Sequence, residues 1–172
     1  MIRLWAVLLL ALPLLGQPRR AEVFGAIGAG KVYDDEGSLG SGPSGGGGIG
    51  YRLRKRLGVE AEVNGFRSTR DFGGGAPVFR MSGLHVMANA LSHFGPPKAQ
   101  FYVLGAAGVV RVSTRTRADG GLNLGFGVGL KIFATERVYL RPDFRIFAGR
   151  GGSAIESPIT RFRMSVGVGY SW

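Results

Sequence analysis

The last residues of the chain, 160–172, read TRFRMSVGVGYSW. Apolar side chains alternate there with small or charged ones. One set of alternate positions holds Phe162, Met164, Val166, Val168, Tyr170 and Trp172, and the other holds Arg161, Arg163, Ser165, Gly167, Gly169 and Ser171. Because successive side chains of a β-strand point to opposite faces, this stretch predicts a strand with one fully apolar face. Tyr170 and Trp172 end that face with amphipathic rings, which are typical of the aromatic girdle where a membrane meets water.

Two stretches upstream repeat the alternation. Their apolar sets are Leu122, Leu124, Phe126, Val128, Leu130 and Ile132 in the first and Val138, Leu140, Pro142, Phe144 and Ile146 in the second. The short polar segment 134–137 separates the two stretches. Strands of about ten residues joined by tight turns are the expected unit of a membrane-spanning β-barrel.

Weaker forms of the pattern predict five further strands, at residues 22–32, 48–54, 57–64, 78–91 and 100–112. In the first and the last of these, small or apolar residues occupy both faces, so the alternation does not decide which face is which. The total is eight strands. The predicted fold is therefore all-β, an eight-stranded antiparallel up-and-down transmembrane β-barrel.

The connections between these strands alternate in length. The long polar ones cover residues 33–45, 68–77, 113–120 and 150–158, and the glycine run 45–48 is interpreted as a flexible loop leading into a strand. Barrels of this kind have short periplasmic turns and longer outer loops. The alternation thus predicts that both termini lie in the periplasm.

Composition limits the classes of protein that fit. The chain has 31 glycines and 45% hydrophobic residues, without the third-position glycine repeat of collagen or the low apolar content of a disordered chain. It has no cysteine, which excludes disulfides and thiolate metal sites. The net charge of +11 favours polyanionic partners, either nucleic acid or an anionic membrane surface.

The N-terminal residues decide between these two partners. Arg3 precedes the uncharged run LWAVLLLALPLL at residues 4–15, which is too short to span a bilayer and is typical of a signal peptide. We expect a signal peptide over residues 1–21, cleaved between residues 16 and 21, and a barrel domain over residues 22–172. Export argues against nucleic acid as a partner and predicts a location in the bacterial outer membrane.

The C-terminal half resembles the OmpA-like and OmpX-like family of small outer-membrane β-barrels, a porin-like group. The resemblance is carried by GFGVGLKIFATERVYLRPDFRIF at residues 125–147 and by RFRMSVGVGYSW at residues 161–172. It implies a location in the Gram-negative envelope. It also implies that the final strand, ending in Tyr170 and Trp172, is a signal read by the barrel assembly machinery during insertion.

Charged side chains occupy the positions that a barrel would point inward. They are Arg52, Arg54, Glu60, Glu62, His85, Lys131, Arg141, Asp143, Arg145, Arg161 and Arg163. An eight-stranded barrel is narrow enough for side chains to fill it, and buried charges must pair. The candidate ion-pair residues are Glu60, Glu62, Lys131, Arg141, Asp143, Arg145 and Arg163, with the two glutamates facing Arg141 and Arg145 across the lumen. We expect a plugged barrel with a structural or interaction role; the alternative is a narrow pore for small solutes, gated by exchange of these pairs.

Two histidines raise the alternative of a lipid-modifying enzyme. PagL-type lipid A deacylases carry an H-x-S-N pattern, whereas His85 has methionine, not serine, two residues on. We therefore interpret His85 as a lumen residue and His93 as a turn residue, and we predict no catalytic site, metal or cofactor. A soluble lipocalin-like binder, with its apolar positions turned inward, is the architectural alternative.

Basic residues near the predicted outer loops indicate an anionic partner. They are Arg67, Arg70, Arg115, Arg117 and Arg150. Arginine makes charge-assisted hydrogen bonds to phosphate oxygens. The expected partners are outer-membrane lipid, in particular the phosphates of lipopolysaccharide, and the barrel itself is expected to be a monomer.

Overall fold

The fold is a closed barrel of eight antiparallel strands. The computed structural model describes residues 20–71, 78–115, 118–150 and 158–172. The strands are β1 (Ala21–Asp34), β2 (Gly37–Arg52), β3 (Leu57–Arg70), β4 (Phe79–Phe94), β5 (Ala99–Thr114), β6 (Ala118–Phe133), β7 (Val138–Arg150) and β8 (Pro158–Ser171). Each strand pairs with the next, and β1 pairs with β8. The predicted eight-stranded up-and-down barrel is confirmed.

The pairing of β1 with β8 closes the sheet. Its register runs from Glu22 opposite Ser171 to Tyr33 opposite Thr160. Closure removes the unpaired edges that an open sheet would expose, so the backbone hydrogen bonds are satisfied within the barrel. Eight strands also make the barrel narrow, so that side chains fill its interior.

The outer surface of the barrel is an apolar belt. Its most exposed large residues include Ile27, Ile49, Leu122, Leu124, Phe126, Met164, Val166 and Val168. Ile27 on β1 and Leu122 on β6 are 77% and 78% exposed, so the apolar surface extends around the barrel. An apolar surface that encircles the molecule is unfavourable in water and matches the hydrocarbon of a bilayer. The apolar face predicted for β8 points outward, which excludes the lipocalin-like alternative.

Inward-facing glycines make room for large side chains from neighbouring strands. A Cβ placed on Gly129 would come within 2.3 Å of the Tyr102 hydroxyl, and one on Gly169 within 2.2 Å of the Tyr139 ring. Both tyrosines are fully buried. The high glycine content therefore follows in part from the narrowness of the barrel, since two large residues cannot share one level of the interior.

The strand connections at the two ends of the barrel differ. One end carries the four-residue turns 53–56, 95–98 and 134–137. The first and last described residues, Arg20 and Trp172, lie at the same end, because Arg52 N–H donates to the Arg20 carbonyl and Ser171 N–H donates to the Arg137 carbonyl. We call it the terminal end and the opposite one the distal end. The predicted turn at 134–137 is confirmed.

The predicted length of two distal connections is wrong. Pairing of β1 with β2 continues to Asp34 opposite Gly37, and pairing of β5 with β6 continues to Ser113 opposite Ala118. The glycine run 45–48, interpreted from the sequence as a loop, lies inside β2. Glycine and serine leave no side-chain alternation to recognise, yet residues 45–48 pair with β1 on one side and with β3 on the other.

The predicted signal peptide falls almost entirely on residues 1–19, which lie outside the described residues. Ala21, the last residue of that prediction, is the first residue of β1. Among the described residues, no helix is long and apolar enough to cross a membrane.

Candidate functional site

The barrel lumen collects charged side chains from strands on opposite sides of the wall. Glu60 and Glu62 are two residues apart on β3, and Arg141, Asp143 and Arg145 are spaced by two on β7. A spacing of two keeps side chains on one face of a strand, here the inner face. Strands β3 and β7 are separated by three strands in either direction around the barrel. The two sets therefore face each other across the lumen.

Glu60 and Arg141 form a bidentate ion pair. Both Nη1–Oε1 and Nη2–Oε2 distances are 2.8 Å. The Arg141 Nε also donates to the Tyr102 hydroxyl at 2.8 Å, and its guanidinium lies 4.1 Å from the centre of the Phe24 ring. Arg141 is completely buried. The fork geometry uses both carboxylate oxygens, which is the strongest arrangement available to an arginine and a carboxylate.

Glu62 is the centre of a second group of ion pairs. Arg145 Nη1 donates to one of its oxygens, and Arg163 Nη1 donates to the other at 2.8 Å. Asn89 Nδ2 donates to it as well, at 3.2 Å. The carboxylate of Glu62 thus forms ion pairs with two arginines, one from β7 and one from β8.

Asp143 supplies the second carboxylate for the same two arginines. Arg145 Nη2 donates to its Oδ2 at 3.0 Å, and Arg163 Nη2 lies 3.6 Å from its Oδ1. The Ser165 hydroxyl donates to Oδ1 at 2.5 Å. Because every charge in this group is buried, removal of any one member leaves an uncompensated charge in a low-dielectric interior.

A third group lies nearer the terminal end and involves residues that the sequence did not single out. Lys131 Nζ contacts Glu22 Oε1 at 2.5 Å and Glu60 Oε1 at 3.5 Å, and Lys131 is fully buried. The Tyr139 hydroxyl donates to Glu22 Oε2 at 3.0 Å. The sequence did not identify Glu22 and Tyr102, because the faces of their strands, β1 and β5, could not be assigned. Tyr139 was assigned to the inner face of β7, but it is uncharged and was not selected as an ion-pair residue.

The histidines and two further arginines test the predicted inward set. His85 faces the lumen, as predicted, and is buried. His93, interpreted as a turn residue, instead lies in β4 and is buried on its inner face, because β4 continues three residues beyond the predicted strand. Arg54, predicted to point inward, is exposed in the turn 53–56 where the alternation of the strand ends. Arg161 is buried, with its guanidinium 4.1 Å from the Phe66 ring centre.

An apolar layer covers the distal side of the charged groups. It consists of Val32, Phe66, Met81, Val110 and Val112, with Leu39, Phe79 and Ile159 packed against it. Two small cavities in the lumen measure about 20 and 10 Å³. The sequence predicted a plug of charges alone. The apolar layer is assembled from β1, β3, β4 and β5, and the two faces of β1 and β5 could not be distinguished in the sequence.

Two surface features lie at opposite ends of the barrel. At the terminal end, the rings of Tyr170 and Trp172 stack with centres 6.0 Å apart, and Arg137 Nη1 donates to the Tyr170 hydroxyl at 3.0 Å. Their position at the edge of the apolar belt is that of an interfacial girdle. The second feature, a group of exposed arginines, lies at the distal end.

On the distal outer wall, a basic patch interrupts the apolar belt on β3, β4 and β5. We define it as Arg67, Arg80, Arg111 and Arg115, all exposed. Strand register places Arg67 opposite Ser82 and Arg111 opposite Leu84. The patch therefore borders directly on the apolar belt, and it adds Arg80 and Arg111 to the basic residues selected from the sequence. Among those, Arg70 donates to the Ser38 carbonyl, while Arg117 lies outside the described residues.

Among the described residues, no group of three or more His, Cys, Asp or Glu side chains has an arrangement that could hold a metal ion. The carboxylates of the lumen instead contact arginine, lysine, tyrosine, serine and asparagine. Chemically, the arrangement is a network of buried ion pairs and hydrogen bonds inside the barrel.

Comparisons with known proteins agree with this architecture. Neisserial surface protein A is similar in structure, with a TM-score of 0.72 and 18% identity over 88% of this chain and 97% of that one. The N-terminal β-barrel domain of Pseudomonas aeruginosa OprF has a TM-score of 0.56 and 18% identity over 91% and 100% of the two chains. OprG from the same organism has a TM-score of 0.58 and 13% identity over 90% and 97%.

No curated protein sequence matches the chain significantly. The family model described as "Outer membrane protein beta-barrel domain" matches residues 5–171, almost the whole chain. Together with the apolar belt, this match locates the protein in the bacterial outer membrane. The chain belongs to the outer membrane protein β-barrel domain family.

Proposed function

We propose that the protein is a closed, non-conducting barrel that serves the outer membrane as a structural or interaction component, without catalytic turnover. The observation that carries the proposal is the buried ion-pair plug, in which Glu60 meets Arg141 and Glu62 meets Arg145 from the opposite wall. On this proposal, the terminal end faces the periplasm, in keeping with the usual position of short turns.

The energetics of the plug support closure. A conducting path through this level would require the pairs to separate while their side chains stay inside the barrel. An isolated buried charge of this kind costs about 3–5 kcal/mol, so an open state with one separated pair would be populated about 0.02–0.6% of the time.

Planar-bilayer conductance tests the closed state. We expect no reproducible open level for the wild-type barrel. A variant in which Glu60, Glu62, Arg141 and Arg145 are all replaced by alanine removes both cross-lumen pairs and is expected to conduct. Reproducible wild-type openings that the four substitutions leave unchanged would show a path outside the plug and would favour the alternative of a narrow solute pore.

The basic patch supports a second part of the proposal, the binding of lipopolysaccharide phosphates. Arg67, Arg80 and Arg111 lie at the distal edge of the apolar belt, the level at which lipid phosphates meet hydrocarbon. Their long side chains can lie along the apolar wall while each guanidinium reaches the headgroup layer. Bidentate hydrogen bonds to phosphate suit arginine better than lysine.

Co-purifying lipid measures this interaction. We expect lipopolysaccharide to be retained by the wild type during detergent extraction and to be depleted several-fold when Arg67, Arg80 and Arg111 are changed to glutamine. A matched control changes Arg54, Lys55 and Arg56, three exposed basic residues at the terminal end, to glutamine. Equal depletion in both variants would point to net charge alone and would overturn a specific site.

The proposal also includes a monomeric barrel and recognition of β8 by the assembly machinery during insertion. The stacked Tyr170 and Trp172 at the end of β8 support the second point, because both rings are accessible before the strand pairs with β1.

A further inference from the structure

A small cavity in the distal half of the lumen is lined by hydrogen-bond donors that have no acceptor among the described residues. The donors are His85 Nε2 and Arg161 Nε and Nη1. The cavity measures about 20 Å³, and its lining includes both residues together with Phe66, Asn123 and Phe147. His85 and Arg161 are 4% and 3% exposed, so bulk water does not serve these donors.

The hydrogen bond to Asn123 fixes the tautomer of His85. Asn123 Nδ2 lies 2.6 Å from His85 Nδ1. An amide nitrogen can only donate, so Nδ1 is the acceptor and the imidazole proton sits on Nε2. The free nitrogen of His85 is therefore a second kind of donor, on a residue that lines the same cavity as Arg161.

Arg161 is also a cation without a counter-charge in the described lumen. That part of the lumen holds the cations Lys131, Arg141, Arg145, Arg161 and Arg163 and the carboxylates Glu22, Glu60, Glu62 and Asp143. The carboxylates of the adjoining group, Glu62 and Asp143, are both engaged by Arg145 and Arg163. The neutral Asn64 Oδ1, at 3.2 Å, is the one described acceptor for Arg161. A buried cation in this state is costly unless an anion accompanies it.

The shape and chemistry of the cavity define the ligand. A space of this size admits one particle about as large as a water molecule. A water molecule there could accept from the donors, but its own hydrogens would meet the apolar rings of Phe66 and Phe147 and further donors. A monovalent anion accepts from every donor, needs no acceptor in return and balances the charge of Arg161.

We propose that Arg161 and His85 bind one chloride ion inside the distal lumen. The chloride completes the charge balance of the plug and packs beneath the apolar layer. This chloride site lies inside the lumen of the barrel and is independent of any lipopolysaccharide bound to the outer surface.

Bromide replaces chloride with little change in size and can be located by anomalous diffraction. Crystals of the wild type grown in sodium bromide are expected to show one anomalous peak between Arg161 and His85. Arg161→Met is expected to abolish the peak. His93→Phe, which removes another buried histidine of β4 at the other end of the lumen, is a matched control and should retain it. A wild-type cavity without a bromide peak would overturn the proposal.

Stability measurements test the same site in solution. Urea unfolding in sodium chloride is compared with unfolding in sodium gluconate at equal ionic strength, because gluconate is too large for the cavity. Above the dissociation constant, each tenfold increase in chloride should raise the wild-type ratio of folded to unfolded protein about tenfold. The dependence should vanish in Arg161→Met and remain in His93→Phe.

His85→Phe keeps the charge of Arg161 and removes the Nε2 donor together with the acceptor of Asn123. It is the variant to use if Arg161→Met does not fold. It is expected to weaken bromide occupancy and to shift the chloride dependence to higher concentration. An identical chloride dependence in the wild type and in His85→Phe, or in the wild type and in Arg161→Met, would contradict the site.

Discussion

Arg141 and Glu60 lie on strands β7 and β3, at opposite sides of the barrel, and still form a bidentate ion pair with both N–O distances at 2.8 Å. The pair therefore spans the lumen rather than one ladder of the sheet. It ties together two walls whose backbones share no hydrogen bonds. Its strength should be visible in the stability of the whole barrel.

Removal of one partner of this pair should be strongly destabilising. Glu60→Gln leaves Arg141 buried beside a neutral amide, and we expect a loss of about 3–5 kcal/mol in the free energy of unfolding. The double variant Glu60→Leu with Arg141→Met removes both charges and should recover a large part of that loss. Urea unfolding in lipid vesicles measures both, and the exposed Glu36→Gln is the control. A single variant as stable as the wild type would contradict a closed, dry plug.

Glycine at inward positions should be required for space. Gly129→Ala would force its methyl group against the Tyr102 hydroxyl, which is held by Arg141 and by Asp143 and cannot move freely. We expect a cost of about 1–3 kcal/mol.

Gly105→Ala is the matched control for this test. Gly105 faces outward on β5, and a Cβ there would meet no atom within 4 Å. It should be neutral or slightly stabilising, since alanine lowers the conformational entropy of the unfolded chain. Equal effects at positions 129 and 105 would show that crowding by Tyr102 is not the cause.

The sequence predicted most where apolar and polar residues alternate strictly. In β8 every position from 161 to 171 follows the pattern, and the structure places each on the expected face. In β2 the glycines and serines carry no such signal, so the sequence predicts a loop over residues 37–47, which are part of the strand, and a strand only from residue 48. In β1 and β5 small residues on both faces hid Glu22 and Tyr102, which complete the lumen network. The alternation could not predict that Arg161 lacks a carboxylate partner, because ion pairing in the lumen depends on which strands face each other across it.

The apolar belt should respond to charge according to depth in the bilayer. Phe126 lies at the middle of the outward apolar run of β6, and Ile132 lies at its terminal end on the same face. Phe126→Arg should destabilise the barrel by about 2–4 kcal/mol in lipid vesicles, and Ile132→Arg by about 0–1 kcal/mol. Unfolding of the two variants in vesicles of one lipid gives this comparison directly. A larger loss of stability for Ile132→Arg than for Phe126→Arg would contradict the placement of Phe126 at the centre of the hydrocarbon.

The aromatic end of β8 should matter for insertion more than for final stability. Trp172 is half-buried at the rim, stacks on Tyr170, and exchanges backbone hydrogen bonds with Ala21. Trp172→Ala keeps those backbone bonds, so the folded barrel should lose only about 0.5–1.5 kcal/mol from the ring pair. Assembly in the presence of the barrel assembly machinery should slow several-fold, because the machinery is proposed to read the exposed ring before β8 pairs with β1. The rate of conversion to the heat-resistant folded band, with and without the machinery, separates the two effects. Trp172→Phe should retain most of the assisted rate, and an equal slowing of spontaneous and assisted folding by Trp172→Ala would assign the ring to packing alone.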